Sequence, residues 1–208
     1  MFCTQSEIVG HDGIINSSGQ NVQLILAWLL SAPNISTVTG LRDRAILAVL
    51  LGCGLRRSEV TALTLAHIQQ RDGRWCIVDL VGKHGRVRTV PMPSGVKAAC
   101  DAWIAGAEFA DGHVFRPVNR GDRVCEKCMS GEVWQLLRQY AEAAGVAGIA
   151  PDDLRRTRAK LCRSAGGELE QIQLLLGHAS VQTTERSLGT KQDLVDAPND
   201  AIKLKVAT

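Results

Sequence analysis

Gly54-Leu55-Arg56-Arg57-Ser58-Glu59 stands between two apolar segments of helical spacing, and its reading decides the fold. Upstream, Leu41, Ala45, Ile46, Val49 and Leu50 recur at the helical period and predict a helix over Leu41–Leu51. Gly52-Cys53-Gly54 ends that helix, because glycine accepts the left-handed conformation that closes helices. Downstream, Val60, Leu63 and Leu65 resume a helical pattern across Arg57–His67. Two arginines and a glutamate are therefore expected at a turn entering a helix.

The period then changes. Arg74–Val81 and Arg86–Met92 are β-branched runs separated by Gly82-Lys83-His84-Gly85, the signature of a hairpin with a polar tip. Pro91 and Pro93 end the second run. Helical patterns follow at Val96–Ala107, Val133–Ala144, Glu168–Leu176 and Ser180–Ser187, the last with Ser180 as its cap. Pro151-Asp152-Asp153 opens another helix, running to Gly166-Gly167, with Asp152 or Asp153 as cap. His113–Phe115 reads as a short third strand and Asn119–Gly131 as a long loop. The fold class expected is mainly α-helical (α+β), with a small antiparallel sheet.

Towards the N-terminus, Asn21–Leu30 reads as a short amphipathic helix and Ser31–Gly40, with Pro33, as a linker. The organisation expected is a leader with one short helix over 1–40, a domain over 41–190 and a polar tail over 191–208. The chain has 208 residues, 45% hydrophobic and 22% charged, an ordinary globular balance rather than that of a disordered chain. No apolar run approaches the roughly 20 residues of a membrane-spanning helix, and Val22–Leu30 is too short. Net charge is only +3, but arginine clusters at Arg42/Arg44, Arg56/Arg57, Arg86/Arg88 and Arg155/Arg156/Arg158. Arginine's rigid fork suits phosphate oxygens. Five of the seven cysteines are scattered, mostly in apolar contexts, and read as buried free thiols. Cys125 and Cys128 have metal-ligand spacing, with His113 the one tempting addition, but a metal needs more ligands, so an ordinary loop is the reading. The tryptophans Trp28, Trp75, Trp103 and Trp134 fall on apolar faces and are expected in the core.

Four motifs appear in order: Gly54-Leu-Arg56-Arg57-Ser-Glu59, Gly82-Lys83-His-Gly85, Asp152-Asp-Leu-Arg155-Arg156-Thr157, and Leu175-Leu-Gly-His178 followed by Thr183-Thr184-Glu-Arg-Ser187. In these residues, from about Leu41 to Leu188, the sequence resembles the catalytic domain of the tyrosine recombinases, the phage integrase family. Each motif is short; their order on the expected helices and hairpin is specific. The resemblance implies a DNA breaking-and-rejoining fold and a site-specific recombinase acting in DNA integration, with no cofactor and no metal. Its partner would be double-stranded DNA in a bacterial cytoplasm, at the nucleoid, with no membrane involved. By that resemblance Arg56 and Arg155 grip the scissile phosphate, and Lys83 protonates the departing sugar oxygen. His178 hydrogen-bonds the phosphate, and Glu59 supports Arg56. The chemistry is consistent: phosphoryl transfer spreads negative charge over non-bridging oxygens that guanidinium forks can hold. Arg86 and Arg88, alternating beside Lys83, are expected on one strand face, on the DNA backbone or in solvent.

Two positions depart from the family pattern. Asp152 stands where most members carry histidine; a carboxylate there repels a phosphate, and its simplest present role is a helix cap. Ser187 stands at the nucleophilic tyrosine position, with a shorter and far less acidic hydroxyl, so no covalent DNA link is expected. Tyr140, the only tyrosine, lies on another helix and reads as a packing residue with a surface hydroxyl. The expectation is a recombinase catalytic domain inactive as it stands. The alternative is a degenerate remnant that binds DNA or a partner subunit as a regulator or interaction module. Full-length relatives carry an N-terminal helical DNA clamp, and about 40 residues are too few for one. The C-terminal tail, Leu194–Val206, is a candidate for docking on a neighbouring copy.

Overall fold

The computed structural model describes residues 19–82, 85–129, 131–145, 148–178 and 180–188. Helix α1 (Gly19–Ser31) leads to α2 (Val38–Cys53) and the short α3 (Arg57–Ala62). A 3-10 turn (Leu65–His67) then enters β1 (Ile68–Arg71), β2 (Arg74–Val81) and β3 (Val87–Pro91). Helices α4 (Ser94–Ala107), α5 (Glu132–Ala143), α6 (Pro151–Ser164), α7 (Leu169–Leu176) and α8 (Val181–Leu188) complete the described chain.

Helix α2 is the axis of the fold. Ala45 through Leu51 are buried without a break, so every face is covered. A helix apolar all round must be surrounded, and α1, α4, α5 and α6 pack on it. Its first turn is closed from two directions. The Thr37 hydroxyl accepts from the Gly40 amide at 3.0 Å. The Asp122 carboxylate, on the loop after α4, accepts from the amides of Val38 and Thr39 at 2.9 and 3.0 Å. Gly54 ends the helix at φ +63°, as the sequence predicts.

The sheet is antiparallel in the order β1-β2-β3. Arg74–Val81 is a strand as expected, and β3 is a little shorter than its run. The third strand is not His113–Phe115: His113 makes a single bridge to Thr64, and Ile68–Arg71 supplies the strand instead. Its four residues, Ile-Gln-Gln-Arg, carry one apolar side chain, too few to mark a strand by alternation. The expected linker also shortens, because Val38–Gly40 already belong to α2.

Of the four tryptophans only Trp103 is in the core, fully buried with its indole N–H donating to the Val114 carbonyl at 2.7 Å. Trp28 is 64% exposed, and Trp75 and Trp134 are at the surface, Trp75 beneath the Lys97 ammonium at 3.8 Å. Aromatic type fixes amphipathic character, not the face a helix presents. Cys53, Cys76 and Cys100 are buried free thiols; burial pushes the Cys53 and Cys100 thiols up to about 12.

Candidate active site

The turn after α2, the start of α6 and the α7–α8 junction converge on one cleft. Arg56, Asp152, Arg155, Arg156, Leu176, His178 and Thr183 line it, around a cavity of about 290 Å³. Arg56, Arg155, Asp152 and His178, separated by up to 122 residues in sequence (178 − 56), thus come together, as the motif order implies.

Arg155 is the buried centre. The period of α6 turns Leu154, Arg155 and Thr157 inward, and the Arg155 guanidinium donates to the carbonyls of Gly54 and Leu176. Those carbonyls lie in the two turns that carry Arg56 and His178, so one side chain ties α2–α3, α6 and α7–α8 together. Burial, then the charge of Arg56, lowers Arg155 to about 9. It remains a cation at neutral pH.

Glu59 is the second centre. It is buried on the inner face of α3, and each of its oxygens receives two donors. Oε1 accepts from Arg56 Nη1 and Arg88 Nη1, both at 2.8 Å. Oε2 accepts from the Arg56 amide at 2.7 Å and from Arg88 Nη2 at 2.8 Å. Burial alone raises a carboxylic acid, but the hydrogen bonds from Arg88 and Arg56 outweigh it and hold Glu59 at about 2. Arg56 gives Glu59 one side-chain bond and stays partly exposed at the cleft.

His178 follows the left-handed cap Gly177, φ +60°. Its Nδ1 lies 3.0 Å from the hydroxyl of Thr184, which is fully buried. Burial first, then the charges of Arg155, Arg56 and Arg88, lowers His178 to about 4. At neutral pH it is a neutral imidazole. Thr184 was missed as its partner, although the six-residue spacing from a helix-end histidine into the next helix is readable in the motif.

Three expectations change. Asp153, not Asp152, caps α6: its carboxylate accepts from the Ala150 amide at 2.9 Å, the capping-box spacing. Asp152 is left exposed on the cleft wall. Arg88 is not solvated; its side chain is 9% exposed and its fork is spent on Glu59. The Tyr140 hydroxyl is not at the surface but donates to Asp43 on α2 at 2.9 Å; burial first, then the charge of Asp43 and this bond, raise it above the usual phenol value. Arg86 is exposed and donates to the His178 carbonyl at 3.4 Å. Ser187 lies on α8, and Lys83 and residues 189–208 lie outside the described residues. Gly82, next to Lys83, is described: a Cβ there would stand 3.0 Å from Arg88 Nη1 and 3.4 Å from Arg56 Nη1.

Residues 21–188 match the model of the phage integrase family. The chain belongs to that family. It is a tyrosine recombinase catalytic domain, mainly helical with a small antiparallel sheet, as its motifs imply. Among curated relatives it is 33% identical over 167 residues to the tyrosine recombinase XerD of Pseudomonas putida, covering 76% of this chain and 52% of that protein. It is 31% identical over 166 residues to XerD of Vibrio cholerae, with the same coverage. The chain thus spans about half the length of the curated relatives it matches. Among solved structures, it aligns with the XerH site-specific recombinase in a post-cleavage complex with palindromic difH substrate. The TM-score is 0.68 at 18% identity, over 90% of this chain and 52% of that one. The catalytic domain of bacteriophage HP1 integrase aligns with TM-score 0.52 at 18% identity, over 88% of both chains. Among the described residues no helix is long and apolar enough to cross a membrane.

Proposed function

We propose that this integrase-family domain binds duplex DNA by holding a backbone phosphate in the Arg56–Arg155–His178 cleft, and that it does not cleave DNA as it stands. The observation that carries the reading is the convergence of two arginines and a neutral histidine, built from three separate segments, on one cleft. Arg155 is held by two carbonyls and Arg56 by one carboxylate bond, which fixes the cations in place before any anion arrives. When the Thr184 hydroxyl donates to Nδ1, the neutral His178 carries its proton on Nε2, a donor for a phosphate oxygen. Arg86 at the rim adds a backbone contact. The structural relative XerH is bound to palindromic difH substrate, and the Tn1549 transposon integrase, which aligns with TM-score 0.62, is in complex with transposon right end DNA.

Strand cleavage needs a nucleophile in line with the phosphate. Serine occupies position 187, and the hydroxyl of the one tyrosine is held by Asp43 on another face of the core. By the family resemblance Lys83 serves as the general acid once a nucleophile is supplied. Asp152 puts a like charge beside the phosphate and weakens its binding. Ser187 and Asp152 favour a DNA-binding, non-cleaving regulator over a working recombinase. The tail beyond residue 190 docks on a neighbouring copy on DNA, in the bacterial cytoplasm and at the nucleoid.

The test uses a duplex nicked beside the scissile phosphate, incubated with the unaltered protein and with Ser187→Tyr. A covalent adduct on a denaturing gel with Ser187→Tyr alone is expected. An adduct with the unaltered chain overturns the non-cleaving reading, and absence of duplex binding by both overturns the DNA-binding one.

A further inference from the structure

Arg88 is on strand β3, yet it bonds two of the segments that build the cleft, the turn entering α3 and the end of α7. Its Nη1 and Nη2 span both oxygens of Glu59 at 2.8 Å, a fork-to-fork pair. Its Nε donates to the Leu175 carbonyl at 3.2 Å, two residues before the cap that sets His178. Two glycines make room for it. A Cβ at Gly82 would stand 3.0 Å from Arg88 Nη1, and a Cβ at Gly177 would stand 2.8 Å from its Cδ. Gly82 adjoins Lys83 and Gly177 adjoins His178.

We propose that Arg88 is a positioning residue: through Glu59 and the Leu175 carbonyl it locks strand β3, Arg56 and the Gly177–His178 turn into one unit, rather than contacting DNA itself. The inference rests on the DNA-binding reading above. The donor arithmetic supports it. Glu59 has two oxygens and four donors, so it can take only one bond from the Arg56 guanidinium. That leaves the rest of the Arg56 fork for a phosphate. Without Arg88, Glu59 has room for the whole Arg56 fork and draws it away from the cleft. The hairpin base at Gly82 also loses the ion pair it packs on. The side chain of Arg88 itself is nearly closed to solvent, so a phosphate reaches it only by displacing Glu59.

The charged groups facing Glu59 are Arg56 from its own turn, Arg88 from β3 and Arg155 from α6. Removing Arg88 leaves burial less opposed, so the carboxyl then titrates higher. The experiment has two readouts. Carbon-13 NMR follows the Glu59 carboxyl on titration, and duplex affinity is measured for Arg88→Met, Glu59→Gln and the double variant. The expected result is a Glu59 midpoint raised by Arg88→Met, and affinity lowered about tenfold by either single change, the scale of one lost charged hydrogen-bond partner. The double variant loses no more than Glu59→Gln alone, because Arg88 acts through Glu59. Arg88→Lys, which keeps the charge without the fork, restores part of the affinity and provides a folded comparison if Arg88→Met does not fold. Additive losses in the double variant, or an unmoved Glu59 midpoint, overturn the proposal. If the unaltered protein binds no duplex, the DNA-binding reading falls, and the carboxyl midpoint alone decides the place of Arg88.

Discussion

Nδ1 of His178 and the hydroxyl of Thr184 lie 3.0 Å apart, with Thr184 wholly buried. A hydroxyl donating to Nδ1 leaves the imidazole proton on Nε2. Thr184→Val keeps the shape and removes the partner. Nitrogen-15 NMR should then show a mixture of His178 tautomers, and duplex affinity should fall about three- to tenfold, the scale of one neutral hydrogen bond.

The lowered His178 has a sign for stability. Its folded value, about 4, is below the free value of 6.5, so the unfolded chain binds the extra proton first. Stability from the neutral histidine is complete above about pH 6.5 and is lost as pH falls towards 4. Urea unfolding of the unaltered protein and of His178→Gln should diverge in that window, by on the order of 2 kcal/mol. Parallel curves would mean that the histidine titrates alike in both states.

Asp152 is exposed on the cleft wall and is not used as a cap, since Asp153 performs that task. Asp152→His should raise duplex affinity several-fold at low salt, as removal of one unit of like charge near a phosphate predicts. Asp152→Asn should recover most of the gain. In the Ser187→Tyr background, Asp152→His should increase covalent adduct further. Asp153→Ala, by contrast, should cost about 1 kcal/mol of stability through the lost cap.

Gly177 has φ +60°, and an added methyl would sit 2.8 Å from Arg88 Cδ. Gly177→Ala therefore combines backbone strain with a clash, and should cost about 2–4 kcal/mol in chemical denaturation. Gly73→Ala is the control: φ is +73°, but no atom lies within 4 Å of the added carbon. Its cost should stay near 1 kcal/mol, from backbone strain alone.

Tyr140→Phe removes the donor to Asp43 and keeps the ring. Asp43 is buried and retains Arg42, at 2.7 Å, as its remaining partner. The expected loss is about 1.5–3 kcal/mol in thermal or urea unfolding, for a hydrogen bond to a charged group. Duplex affinity should not change, because Tyr140 does not line the cleft.

The parts of the fold governed by local chemistry were legible in the sequence. Arg74–Val81 read as a strand from its β-branched run, and Gly54 and Gly177 read as helix stops; both adopt positive φ. The convergence of Arg56, Arg155 and His178 was legible through motif order. What escaped depended on partners distant in sequence. The burial of Arg88 requires Glu59, 29 residues earlier, and a strand arginine without that partner would be solvated. Strand β1 is held by its ladder to β2, not by its own pattern. The faces of Trp28, Trp75 and Trp134 depend on which side of each element the neighbours cover.

The carboxylate of Asp122 closes the first turn of α2 across 84 residues of chain. A growing polypeptide leaves the ribosome from its N-terminus, so the central helix is made well before this group exists. Until then the first amides of α2 have Thr37 and water as partners. The start of the helix should therefore fray on the nascent chain and settle when the loop after α4 returns to it. In this fold the oldest part of the core is among the last to be finished.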